Sequence, residues 1–63
     1  MVVPGSVWES KRSGKIVMIT QLSIKAGSVD EPLWEWIELY PGNAIAVSPW
    51  YEYVFTEFCE NIS

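Results

Sequence analysis

The sequence predicts a small, mainly β domain. It is expected to have four or five antiparallel strands curled into a barrel-like sheet, with a short C-terminal helix or final strand. Three observations carry this. Residues 15–25 form a run in which Ile16, Val17, Ile19 and Ile24 are β-branched and Thr20 adds a fifth, a composition that suits a pleated surface better than a helix. Leu33 to Tyr40 is a second extended run, rich in Trp, Ile and Tyr. Turn signals separate these runs: Pro4-Gly5, Ser13-Gly14 and Pro41-Gly42-Asn43, residue types that set φ or tolerate positive φ.

In chain order, Met1 to Ser6 is a lead-in with a turn at Pro4-Gly5, and Val7-Trp8-Glu9 is a short strand. Lys11-Arg12-Ser13-Gly14 is polar and ends in glycine, as a hairpin loop does. Lys15 to Lys25 is the clearest strand. Its alternation is clean from position 20 onward and assigns the even face (Ile16, Met18, Thr20, Leu22, Ile24) to the core. Before position 20 both faces are apolar, so that end is expected to be covered on both sides. Ala26 to Pro32 reads as a loop.

Leu33 to Tyr40 places Trp34, Trp36 and Tyr40 on one face and Leu33, Ile37 and Leu39 on the other. A β-bulge would reconcile that pattern, as would one aromatic face turned to a partner. Ala44 to Val47 reads as the return strand of a hairpin, with Ile45 and Val47 inward. In the tail, Ser48-Pro49 suits a helix start. Tyr51, Val54, Phe55, Phe58, Cys59 and Ile62 then follow a helical stripe. The same segment has strand propensity through Tyr-Glu-Tyr-Val-Phe-Thr; the helix is the preferred reading.

The 63 residues make one domain, 1–63, of a size whose core is marginal. Such domains usually add disulfides, a metal or a partner subunit. Cys59 is the only cysteine, so no disulfide forms within the chain. With no histidine and one thiol, the usual zinc ligand sets cannot be assembled. A carboxylate-only site for a hard cation stays open but has no recognisable spacing, so no cofactor or metal is expected. Aromatic mass remains: 4 Trp, 3 Tyr and 2 Phe, each able to bury about 150–250 Å². Homodimerisation would serve both the small core and the surplus rings. No signal peptide or membrane span is expected, and a lone free thiol fits a reducing compartment, so the expected location is cytoplasmic.

Charge is split along the chain. Residues 1–25 hold all four bases (Lys11, Arg12, Lys15, Lys25) and one acid, Glu9, for +3; residues 26–63 hold seven acids, for −7. With a sequence pI near 4.4, the chain has too little positive charge for dedicated phosphate binding, so direct nucleic-acid binding is not expected. Enzyme motifs are also missing. There is no histidine base, Cys59 lies on the apolar stripe, and Glu35 and Glu38 face opposite ways on a strand. The chain therefore reads as non-enzymatic. Acid alternates with large aromatics at Trp34-Glu35-Trp36 and Trp50-Tyr51-Glu52-Tyr53. The expected partner-binding residues are Trp34, Glu35, Trp36, Trp50, Tyr51 and Tyr53, the rings as anchors and the acid for steering.

The layout resembles small SH3-like β-barrel proteins, especially the short uncharacterised ones of bacteriophages. Pro4-Gly5-Ser6-Val7-Trp8 opens the first strand, Gly14-Lys15-Ile16-Val17 starts the second, Pro41-Gly42-Asn43 makes a compact hairpin, and Trp50 to Phe55 is the aromatic closing segment. The strongly acidic loop and paired tryptophan of eukaryotic peptide-binding SH3 domains are missing, so a proline-rich ligand is not implied. The resemblance implies a phage-encoded inhibitor or modulator of a host protein, acting in the host cytoplasm. The alternatives are a structural subunit of a homo-oligomer, an oligomer that sequesters a small molecule, and an acidic competitor of nucleic acid for a basic groove.

Overall fold

The computed structural model describes residues 2–23, 32–42 and 48–63. Its elements are β1 (Val7–Ser10), β2 (Ile16–Leu22), β3 (Leu33–Tyr40), β4 (Trp50–Tyr51), α1 (Glu52–Phe58) and β5 (Cys59–Asn61). All five strands belong to one antiparallel sheet in the order β4-β3-β2-β1-β5. The sheet curls into a half-barrel with one short helix, as the sequence predicts. Asn43 of the expected Pro41-Gly42-Asn43 turn, its return strand 44–47, the last two residues of the expected strand 15–25 and most of the expected loop 26–32 lie outside the described residues.

The lead-in is built into the fold rather than trailing from it. Pro4-Gly5 forms a turn in which Gly5 has φ 88°, a region that costs a side-chain-bearing residue energy. The turn returns the chain so that the Gly5 amide donates to the Ile19 carbonyl (2.8 Å) and the Ile19 amide to the Ser6 carbonyl (2.9 Å). Val2 thereby enters the core at 3% exposure. Ser6 is buried too, and its hydroxyl accepts the Trp8 indole N–H at 2.9 Å and donates to the Val3 carbonyl at 2.6 Å. A buried indole needs such an acceptor.

Up to Ile19 the core-facing side of β2 is the odd one, correcting the even-face expectation there; past Thr20 the even residue Leu22 stands opposite Trp34. Val17 and Ile19 are fully buried, whereas Thr20 and Leu22 are exposed. The cross-strand partners show why. Trp8 stands opposite Val17 and Trp36 opposite Ile19, and all four are core residues. The β2–β3 register shifts twice, between Ile16 and Val17 and between Ile19 and Gln21. Thr20 is an extra residue on β2 and Leu39 an extra residue on β3, so each strand carries one bulge. A bulge resets the alternation, so the clean pattern after position 20 says nothing about the face before it.

The tail holds both a helix and strands. Ser48-Pro49 does not start the helix: Trp50 and Tyr51 pair with Trp34 and Leu33 as β4. The helix begins at Glu52 with Tyr51 at the N-cap and no side-chain cap bond. It ends at Phe58 because Cys59 to Asn61 pair with Ser10 to Trp8 on the far side of the sheet. One short helix thus carries the chain from one sheet edge to the other, across the concave face. Of the predicted stripe, Phe55 and Cys59 are buried, while Tyr51, Phe58 and Ile62 are exposed.

The core is a cluster of Val2, Trp8, Val17, Ile19, Trp36, Phe55 and Cys59, with Trp34 and Trp50 packed against it. Its rings form a chain. Phe55 lies 6.1 Å from Trp8 and 5.3 Å from Trp50, and Trp50 lies 4.3 Å from Trp36. Each such contact adds about 0.5–1.5 kcal/mol beyond the area it buries. Phe55 is 0% exposed, so Phe55→Ala is expected to cost about 3–5 kcal/mol. A chain of 63 residues has roughly 3–9 kcal/mol in total at about 0.05–0.15 per residue, so the variant should be largely unfolded in urea titrations. Phe58→Ala, at a site 57% exposed, should stay within about 0.5 kcal/mol of the parent.

Candidate functional site

The six residues expected to bind a partner are divided between two sides of the sheet. Trp34, Trp36 and Trp50 lie on the concave side. Trp36 is 6% exposed and belongs to the core, while Trp34 and Trp50 are half-buried against it. Glu35 alternates with Trp34 and Trp36, which places it on the convex side, where it accepts the Gln21 side-chain amide at 2.9 Å. Tyr51 pairs with Leu33, one residue before Trp34, and so is also turned away from the core. Tyr53, in the first turn of α1, stacks on Tyr51 with ring centroids 6.0 Å apart and planes at 15°. Each tyrosine is 43% exposed.

The structure therefore brings Tyr51, Tyr53 and Glu35 to the β3–β4 end of the sheet, with the tryptophans behind them. Glu52 joins them, lying between the two tyrosines in sequence. Its Oε1 accepts the Trp34 indole N–H at 3.0 Å, which ties the helix start to the sheet. A carboxylate in the first turn also complements the partial positive charge of the helix end. Sequence reasoning placed Glu52 among the alternating acids but not among the site residues. The available signal was its position where the strand pattern gives way to the helical one.

At the other end of β3, Lys15 bridges two partners. Its Nζ lies 3.2 Å from Glu38 Oε1 and 5.8 Å from the Trp36 ring centroid. The second Glu38 oxygen accepts the Gly42 amide at 3.2 Å. A partly exposed pair of this kind contributes at most about 1 kcal/mol, so its main effect is to fix the β2 start against β3. The buried Trp36 indole N–H has no acceptor among the described residues.

Cys59 is a free, buried thiol. Burial pushes its pKa up, and the nearby Lys11 offsets this in part. A raised thiol pKa means less thiolate and therefore less nucleophile. Among the described residues no group of three or more Cys, Asp or Glu side chains is placed to hold a metal ion, and no helix is long and apolar enough to cross a membrane.

Set against known proteins, the chain matches no family model, no curated protein and no solved structure.

Cys59 should react with a thiol reagent at least about tenfold more slowly in the native state than in urea, since both burial and a raised pKa oppose attack. The linkage has a definite sign. A thiol with a raised folded pKa binds more protons in the native state, so stability is complete below the unfolded value of about 8.5 and falls as pH rises through it. Cys59→Ala should lack that alkaline decline, as read from urea midpoints between pH 7 and 10.

Proposed function

We propose that this chain is a non-enzymatic protein-interaction module that binds its partner through the β3–β4 end of the sheet. The observation carrying this reading is the exposed Tyr51–Tyr53 stack, set beside the carboxylates of Glu35 and Glu52, each already held by one hydrogen bond. Tyrosine is a favoured anchor because it gives large contact area with few rotatable bonds. The stack is ordered before binding, which lowers the entropy cost of association. Fixed carboxylates at its border would steer a complementary partner and set its register. Trp34 and Trp50 support the face from behind rather than meeting the partner directly.

The narrower reading, a phage-encoded modulator of a host protein, rests on the resemblance to small SH3-like proteins. The supporting geometry is the curled half-barrel sheet, which fits that architecture without specifying the partner.

The test is affinity capture with the tagged chain, comparing the parent with Tyr51→Ala/Tyr53→Ala. The double variant should keep the parent's circular dichroism, because both rings are exposed, and should lose the captured protein. A folded double variant that retains the same partner would place the binding face elsewhere. The earlier expectation for Trp34 and Trp36 gives a second arm: Trp34→Ala/Trp36→Ala removes one ring from the core and one packed against it, so it should lose the fold together with the partner.

A further inference from the structure

Two carboxylates border the Tyr51–Tyr53 stack, one set there by the sheet and one by the helix. Tyr51 stands opposite Leu33. Glu35, two residues along β3 on the same face, is therefore its diagonal neighbour, at about 7–8 Å. Glu57 lies four residues after Tyr53 on α1, a spacing that puts both on one helix face with Cβ atoms about 5–6 Å apart. Phe55 lies midway between them in sequence and is buried, so Tyr53 and Glu57 occupy the opposite, solvent side of the helix, and both are exposed. The order along the surface is Glu35, Tyr51, Tyr53, Glu57.

Neither carboxylate is neutralised by its own fold. Glu35 accepts only the Gln21 amide, through Oε1, among the described residues. The single ion pair among those residues is Lys15–Glu38. Lys15 adjoins Ile16, which pairs with Tyr40 at the far end of β3, and Lys11 and Arg12 lie in the same β1–β2 turn. Residues 26–63 hold seven acids and no base. Between the two carboxylates, the tyrosine planes are within 15° of parallel and each ring is 43% exposed.

This arrangement selects among partner chemistries. An apolar partner would bury two carboxylates without a counter-charge, which is unfavourable. An acidic or phosphate-bearing partner would meet like charge. A lysine ammonium pairs with a carboxylate but is a compact, strongly hydrated charge. A guanidinium is planar and weakly hydrated: it stacks on an aromatic face and keeps its in-plane N–H groups for acceptors at the ring border. Resting on the reading that Tyr51 and Tyr53 form the binding face, we propose that the element they take is an arginine-bearing segment of the partner. One guanidinium lies against Tyr51 and donates to Glu35; a second lies against Tyr53 and donates to Glu57. The chain's net charge of −4 steers such a segment toward it.

Fluorescence anisotropy with labelled oligoarginine, oligolysine and oligoglutamate peptides of equal length tests the proposal, with circular dichroism to confirm folding of each variant. The parent should bind oligoarginine at least about fivefold more tightly than oligolysine, and oligoglutamate not at all. Equal binding of the two basic peptides, or no binding of either, overturns the proposal. Tyr51→Ala/Tyr53→Ala keeps every charge and should lose the preference for arginine; a folded double variant that retains it overturns the role of the rings. Glu35→Gln and, separately, Glu57→Gln should each weaken oligoarginine binding about threefold. Glu9→Gln makes the same charge change on β1 and should leave binding unchanged; an equal loss there means that net charge alone attracts the peptide, and overturns the site. Affinity capture separates this inference from the reading beneath it. If the tyrosine double variant loses the captured protein but oligoarginine does not displace that protein from the parent, the face stands and the arginine assignment falls. If the double variant keeps the captured protein, both fall.

Discussion

The attachment of α1 to the sheet through Phe55 is the constraint on which the rest of this fold depends. A helix of seven residues is far below the length that persists alone in water. This one has no side-chain N-cap bond and no basic residue in its last turn, so its own sequence does little to hold it. Its buried ring is what keeps it in place, set between Trp8 of β1 and Trp50 of β4. Because the helix joins β4 to β5, that ring also anchors two strands too short to be stable by pairing alone. The Trp34–Glu52 hydrogen bond fixes one end of the helix to the sheet, and the Cys59 amide, bonded to the Phe55 carbonyl, closes the other.

Local composition made much of this architecture legible. β1 and β3 lie close to where alternation and turn residues place them, and the Ser13-Gly14 hairpin is where glycine predicts it, with Gly14 at φ 79°. The inward face of β2 was not legible, because bulges at Thr20 and Leu39 change the parity and bulges depend on how two strands pair. The tail was ambiguous for a related reason. Trp50-Tyr51 and Cys59-Glu60-Asn61 are strands only because Leu33-Trp34 and β1 lie beside them, while Phe55 and Cys59 keep the helical spacing that puts both in the core. Period-two and period-3.6 patterns each described part of the segment. Val2 and Ser6 gave no sequence signal, since their burial follows from a turn that returns the lead-in to Ile19.

The candidate site was legible as a region and not as a face. Alternating acid with aromatic residues on β3 necessarily sends the two kinds of side chain to opposite sides. Trp34 and Trp36 therefore join the concave side and Glu35 the convex one, however suggestive their adjacency in sequence. The tyrosines escape this division because Tyr51 ends a strand and Tyr53 lies in the first turn of the helix. Residues at i, i+2 spacing share a face on a strand but not on a helix, and the extended backbone at Tyr51 lets its ring lie beside that of Tyr53. Exposed aromatic surface survives here because the core already has its rings: Trp8, Trp36 and Phe55, with Trp34 and Trp50 against them.

The two ends of β3 carry different surfaces. Tyr51 pairs with Leu33, and Tyr40 pairs with Ile16. Seven residues of β3 separate those points, about 23 Å at the usual rise. The charge distribution follows the same division. Lys15 is committed to Glu38, which leaves Lys11 and Arg12 as the free cations at the tip, while the tyrosine end has carboxylates with no base beside them in the sequence. The acidic, aromatic end is therefore the one where unpaired charge and exposed rings coincide, which is why the partner-binding reading falls there.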